Sequence, residues 1–396
     1  MAKRKENKMK MNPLLKLEGL GQSIWLDSIS RPMLTSGELK RLIKKDGLSG
    51  VTSNPAIFEK AIAETDDYDG AIGTLARKGK GVDEIYENLV VHDIRLATDQ
   101  LRPVYDRTDG KDGFVSLEVS PHLAHDTKGT VAEARRLWAA VKRPNVFIKV
   151  PATASGLPAI RELISKGINV NVTLLFGLPR YREVARAYLA GLEDRIVDGQ
   201  SINRVTSVAS FFLSRIDTMI DPVLEEKRLK GGRSGLLAAS LHGEVAVSSA
   251  KVAYRIFKEV FRSASFMNLA QHGGRVQRLL WASTSTKNPA YSDVKYVEPL
   301  IGPETVNTVP METIRAYRDH GKPALRLERG LEKAEKVMKS LPDVGVNLDN
   351  VTQTLEDEGV DKFVKPFDLL MQRLAERRKV FLEVARKKPV RRTRVS

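Results

Sequence analysis

The chain has 396 residues, 42% of them hydrophobic, which is enough for a sizeable core in one large domain or two ordinary ones. It holds no cysteine, so disulfides, a thiol nucleophile and thiolate metal sites are excluded, and no apolar run reaches membrane-spanning length. The net charge of +16 is concentrated at the ends: residues 1–10 carry a net +4 and residues 386–396 a net +6. Basic tails bind polyanions weakly and without sequence preference, so this charge argues for no specific nucleic-acid partner. The N-terminus, MAKRKENKMKMNPLLKL, lacks the apolar centre of a secretory signal. Together with the absence of cysteine, that predicts a cytoplasmic location.

Eight short apolar runs are candidate strands: Ser23–Asp27, Leu48–Asn54, Phe114–Ser120, Asn145–Pro151, Ile168–Phe176, Val205–Phe212, Arg278–Ser285 and Thr305–Pro310. Stretches of helical period separate most of them. Ser36-Gly37-Glu38-Leu39 predicts a serine-capped helix that closes at Lys44-Lys45-Asp46-Gly47. Residues 68–105 read as two helices split by Lys78-Gly79-Lys80-Gly81. Further helices are expected over Thr130–Arg143, Gly156–Lys166, Leu178–Asp198 and, as one long element, Leu236–Phe261. After residue 310 the pattern is helical only, over Met311–Leu341 and Val346–Ala385.

Eight alternating β and α units predict an α/β fold, a parallel (β/α)8 barrel with additional C-terminal helices, the last of them packed across the barrel. An open doubly wound sheet is the alternative, but neither G-x-G-x-x-G nor a P-loop motif is present. The expected division is a basic tail over 1–18, one barrel domain over 19–385 including the helical cap, and a basic tail over 386–396.

Reactive groups of a barrel belong at the C-terminal ends of its strands. Polar residues fall there in every run: Asp27, Asn54, Glu118, Lys149, Asn171 with Thr173, Ser210, Ser283 and Asn307. Each alone is an ordinary hydrogen-bonded residue, but so many at one end of eight strands predict one shared polar site. Desolvation inside an apolar strand favours the neutral amine of a lysine, which is a nucleophile towards carbonyls. Lys149 sits in such a run, NVFIKVP, and the alternative for it is an ion-paired lysine at a strand end. A buried lysine beside carboxylates forms a Schiff base with a ketone, and the protonated imine permits cleavage of the neighbouring carbon–carbon bond. Asp27 and Glu118 are the candidate acid/base groups. No metal or other cofactor is called for, since there is no HExxH and no histidine cluster.

The run IKVPATASGLPAIRELISKGINVNVTLLF at 148–176 resembles the signature of the transaldolase family, as do WLDS at 25–28, TSNPAIF at 52–58 and SLEVS at 116–120. The matches fall in family order across about residues 20–320. The resemblance implies a class I aldolase-type barrel. Such a barrel moves a dihydroxyacetone unit from sedoheptulose 7-phosphate to glyceraldehyde 3-phosphate in the non-oxidative pentose phosphate pathway. It implies Lys149 as the Schiff-base lysine and Asp27 as the acid/base for the substrate hydroxyl. Glu118 and Thr173 would hold a catalytic water, and Asn54 and Asn171 would bind the dihydroxyacetone part. Ser210, Phe212 and Arg215 match the serine-x-aromatic-x-x-arginine pattern in which the arginine takes the phosphate. Many members have an arginine shortly after an Ala-Ser pair. This chain reads Ala282-Ser283-Thr284-Ser285-Thr286-Lys287, which makes Lys287 the expected second phosphate cation, assisted by Ser283.

The nearest rival is a fructose 6-phosphate aldolase of the same superfamily. Those proteins are much shorter and carry glutamine and tyrosine where this chain has Glu118 and Phe212. From another class, a basic nucleic-acid-binding barrel fits the charge, yet that charge lies mainly in the tails. Sugar phosphates are the expected partners, with no membrane, and the sequence is compatible with a monomer or a homodimer.

Overall fold

The computed structural model describes residues 12–63 and 65–387, so most of both predicted basic tails lies outside the described residues. Each apolar run of the sequence contributes one strand: β1 (Gln22–Asp27), β2 (Gly50–Thr52), β3 (Phe114–Glu118), β4 (Val146–Pro151), β5 (Val170–Leu175), β6 (Ser207–Phe212), β7 (Arg278–Ala282) and β8 (Thr305–Val309). They close into a barrel in chain order, with β8 beside β1 and every neighbouring pair parallel. The helices between strands cover its outside, giving the (β/α)8 barrel with C-terminal helices that the alternation predicts.

Side chains alternate along each strand, so one parity fills the lumen. At the lower end that parity supplies Trp25, Phe114 and Phe147. The two phenyl rings stack with centroids 4.2 Å apart, and the indole lies 6.1 Å from Phe147. Gly50 is required beside them, because a Cβ there would sit 2.4 Å from the Trp25 ring. This aromatic plug leaves the next layer up for polar side chains. Register then decides who neighbours whom: Glu118 pairs with Lys149, Lys149 with Asn171, and Asp27 with Thr52.

Several helix expectations need correcting. Ser36 is not the cap of the helix Glu38–Asp46; Gly37 is, with φ at +85°, although Gly47 does end that helix as expected. The single long helix over 236–261 is two helices, Gly232–Leu241 and Val245–Phe261. The chain turns between them at His242-Gly243, where Gly243 takes φ +73°. The segment 311–341 is likewise broken, into Met311–His320 and Leu331–Ser340. Packing begins ahead of residue 19, where the short helix Leu15–Gly19 brings Leu14 and Leu17 into the core.

The C-terminal helix Leu348–Lys387 packs across the strand C-termini. It is tied to several of the elements that form the rim. Glu356 pairs with Arg180 at 3.2 Å, Asp368 with His122 at 2.7 Å, and Arg377 donates to the Thr65 carbonyl at 2.8 Å. No described helix is long and apolar enough to cross a membrane.

Candidate active site

The lumen side of β4 carries Lys149 directly above Phe147. Its side chain is only 6% exposed, and its Nζ donates to the Ser53 carbonyl at 3.1 Å and lies 3.7 Å from a Glu118 oxygen. From above, the Phe363 ring of the C-terminal helix covers the amine, with the centroid 5.7 Å away. The amine therefore sits in a closed space with one carboxylate neighbour and one carbonyl.

Glu118, on β3, is 7% exposed, and neither carboxylate oxygen has a hydrogen-bond partner among the described residues. Burial raises its pKa to about 7; the Lys149 ammonium opposes that and Asp27 adds to it. Asp27, at the end of β1, is also raised by burial, with Lys149 and a hydrogen bond from Thr52 opposing. That bond, Thr52 Oγ1 to Asp27 Oδ1, is 2.8 Å, and the Thr52 hydroxyl lies 2.7 Å from that of Thr308. One carboxylate beside the amine and a second within its electrostatic reach are both raised by desolvation, the direction that suits a carboxyl group to acid/base work.

On the other flank, Ser116, Asn171 and Ser210 form a hydrogen-bonded row across three strands. Asn171 Nδ2 donates to Ser116 Oγ at 3.0 Å, and Ser210 Oγ donates to Asn171 Oδ1 at 2.7 Å. Thr173 follows Asn171 with the same parity, and its buried hydroxyl has no partner among the described residues. Immediately after it β5 bulges, and Leu174 takes φ +55°. A side chain in that region is strained, and such outliers concentrate at functional sites. Asn54 follows β2, and its Oδ1 accepts from the Ile57 N–H at 3.0 Å, capping the helix Pro55–Ala63. It shares a small recess with Glu118.

Around the rim, Phe212 ends β6 and Arg215 opens the helix behind it. The guanidinium lies 5.6 Å from the Phe212 ring centroid. Its Nη1 is buried without a partner among the described residues, and desolvation lowers its pKa against the pull of Glu358 and Asp27. Ser283 directly follows β7 with φ +53°, and its hydroxyl is 2.9 Å from that of Ser214. Lys287 is exposed on the same loop, bonded to Ser285 Oγ at 2.6 Å, and its charge reaches Asp27.

The predicted polar residues thus gather at one barrel mouth, with one exception. Asn307 faces away from the lumen and donates to the Tyr296 carbonyl at 3.0 Å. Parity explains it: its neighbour Thr308 meets Thr52 inside the barrel, so Asn307 must point outward. Sequence reasoning missed four participants. Ser116 and Thr52 were legible by alternation from Glu118 and with Asp27. The Ser53 carbonyl and Phe363 carry no local signal, the latter arriving from a helix over 200 residues downstream.

A family model described as transaldolase/fructose-6-phosphate aldolase matches residues 24–374. The chain belongs to that family. A transaldolase of Trichodesmium erythraeum is 50% identical over 374 residues, covering 93% of this chain and 98% of that protein. One from Thermobifida fusca is 49% identical over 366 residues, covering 92% and 98%, and one from Thiobacillus denitrificans is 46% identical over 364 residues, covering 92% and 100%. For a family member, the buried Lys149 beside Glu118 at the barrel mouth is the feature around which the remaining contacts take on meaning.

Proposed function

We infer that the chain is a transaldolase that passes a dihydroxyacetone unit between sugar phosphates through a Schiff base on Lys149. The observation that carries this is the buried Lys149 beside a Glu118 whose pKa of about 7 lets it both give and take a proton. Once its proton has passed to the neighbouring carboxylate, the Lys149 amine adds to the ketone carbon of sedoheptulose 7-phosphate. Loss of water, which needs a proton delivered to the departing hydroxyl, leaves the protonated imine. Glu118, working with Thr173 through a bound water, supplies that proton and later takes one back from the water that hydrolyses the imine.

Asp27 takes the proton from the hydroxyl on the carbon beyond the bond that breaks. Its raised pKa makes it a stronger base than an ordinary carboxylate. The electron pair of the broken bond flows into the imine, and erythrose 4-phosphate departs. The three-carbon piece stays on Lys149, with Asn54 and Asn171 binding its hydroxyls, until glyceraldehyde 3-phosphate takes it up and fructose 6-phosphate is released. Ser210 orients Asn171 by its 2.7 Å bond. Arg215 receives the phosphate, its Nη1, unpartnered among the described residues, free to donate, with Lys287 and Ser283 as further partners, since a planar guanidinium matches phosphate oxygens in pairs.

Transfer rather than plain cleavage requires the intermediate to outlive hydrolysis. The acidic Glu118, the apolar Phe212 and the Phe363 ring over the amine support that assignment. A cytoplasmic setting completes the proposal, since that is where sugar phosphates circulate and where a cysteine-free chain is at home. Assaying fructose 6-phosphate turnover with and without erythrose 4-phosphate tests it. A strong dependence on the acceptor supports transfer, whereas equal turnover without acceptor would make the chain an aldolase.

A further inference from the structure

The two cations assigned to the phosphate come from different elements, Arg215 from the helix Ser214–Lys230 and Lys287 from the segment between β7 and β8. We propose that Asp217 and Asp221, with Tyr296 and Tyr291, are positioning residues that lock those two elements together and thereby set the spacing of the two cations. The proposal rests on the phosphate roles of Arg215 and Lys287.

The elements are joined first at their roots. The N–H groups of Leu213 and Ser214 donate to the carbonyls of Ala282 and Ser283, each at 3.0 Å, and the two serine hydroxyls meet at 2.9 Å. Further along, Asp217 and Asp221 stand four residues apart, on one face of the helix. Asp217 Oδ1 accepts from the Ala246 N–H at 2.8 Å. Its Oδ2 accepts from Tyr296 at 2.9 Å and has Lys295 Nζ at 3.1 Å. Asp221 Oδ1 accepts from the Gly243 N–H at 2.9 Å, and its Oδ2 accepts from Tyr291 at 2.7 Å. Lys295 lies over the Tyr291 ring, 3.3 Å from its centroid.

Both carboxylates are buried, and all four of their oxygens have partners. A buried carboxylate tolerates the loss of a partner poorly, so this geometry is stiff. The network borders the proposed phosphate side of the site: Asp217, Asp221, Tyr291, Tyr296 and His242 line a cavity of about 320 Å³ together with Lys287. Lys287 is itself exposed at the loop surface and bonded to Ser285 Oγ at 2.6 Å, so its place follows from where the segment is anchored, at Tyr291 and Tyr296.

Tyr291→Phe removes a single hydroxyl and tests the proposal. Two quantities are measured: the KM for fructose 6-phosphate and competitive inhibition by inorganic phosphate. Unphosphorylated fructose serves as the reference donor, and a thermal melt checks that the variant is folded. Losing the hydroxyl's bond to Asp221, together with its 3.1 Å contact with His242, predicts that KM and the phosphate inhibition constant both rise about fivefold, with turnover of fructose unchanged. Should this variant fail to fold, Tyr296→Phe is read the same way. Equal losses with fructose and fructose 6-phosphate, or phosphate inhibition that does not move, overturn the proposal. Arg215→Ala run in parallel separates the two layers. If it too leaves phosphate inhibition unchanged, the phosphate assignment itself is what fails.

Discussion

The two ends of the candidate site are built on different kinds of support. Lys149, Glu118, Asp27 and Asn171 stand on strands, where main-chain register makes Glu118, Lys149 and Asn171 neighbours before any side-chain contact is made. Arg215, Ser283 and Lys287 stand on a helix start, a residue with φ +53° and an exposed loop. The first set cannot shift without breaking the barrel, whereas the second depends on hydrogen bonds between elements about 70 residues apart. Chemistry that must be exact to a fraction of an ångström is placed on the rigid end, and recognition of a charged group on the adjustable one.

That division predicts different kinetic signatures. Asp27→Asn gives the largest effect after loss of the lysine itself, with kcat falling about 10²- to 10⁴-fold and KM little changed. A rise in KM alone would instead make Asp27 a binding residue. Arg215→Ala gives the opposite pattern. KM for fructose 6-phosphate rises about 10- to 100-fold through loss of a charged hydrogen bond, and turnover of unphosphorylated fructose is spared.

Glu118→Gln has subtler consequences. The ratio of free cleavage to transfer rises, and an unchanged ratio in a paired assay would remove Glu118 from control of the water. Its pH behaviour carries a definite sign. The folded state raises this carboxyl from 4.5 to about 7, so between those values the native chain holds more proton than the unfolded one. Wild-type stability therefore falls as pH rises through that window, by at most on the order of 3 kcal/mol, and the glutamine variant lacks this loss. Denaturant titrations at pH 5 and pH 8 read it directly. A stability gap that stays constant between them would contradict the raised pKa.

The strand end was also the more legible end in the sequence. A lysine within FIKVP or a glutamate within SLEVS interrupts an apolar run, and in a barrel the interrupted position and its neighbour in register share a lumen. Alternation, applied strictly, would also have found Ser116 and would have excluded Asn307, which faces Tyr296 instead. Other features depend on contacts that no local pattern encodes. Phe363 covers Lys149 from a distant helix, Leu174 adopts φ +55° at a bulge, and the Asp221–Tyr291 bond crosses between elements. Helix continuity failed for a related reason. The run 236–261 has helical period throughout, yet the bond from the Gly243 N–H to Asp221 accompanies a break in the middle.

If Lys149 captures the substrate ketone, borohydride reduction in the presence of fructose 6-phosphate gives an irreversible loss of activity and, on peptide mapping, one reduced sugar adduct on the peptide that contains Lys149. An adduct on any other lysine, or no adduct at all, would contradict it.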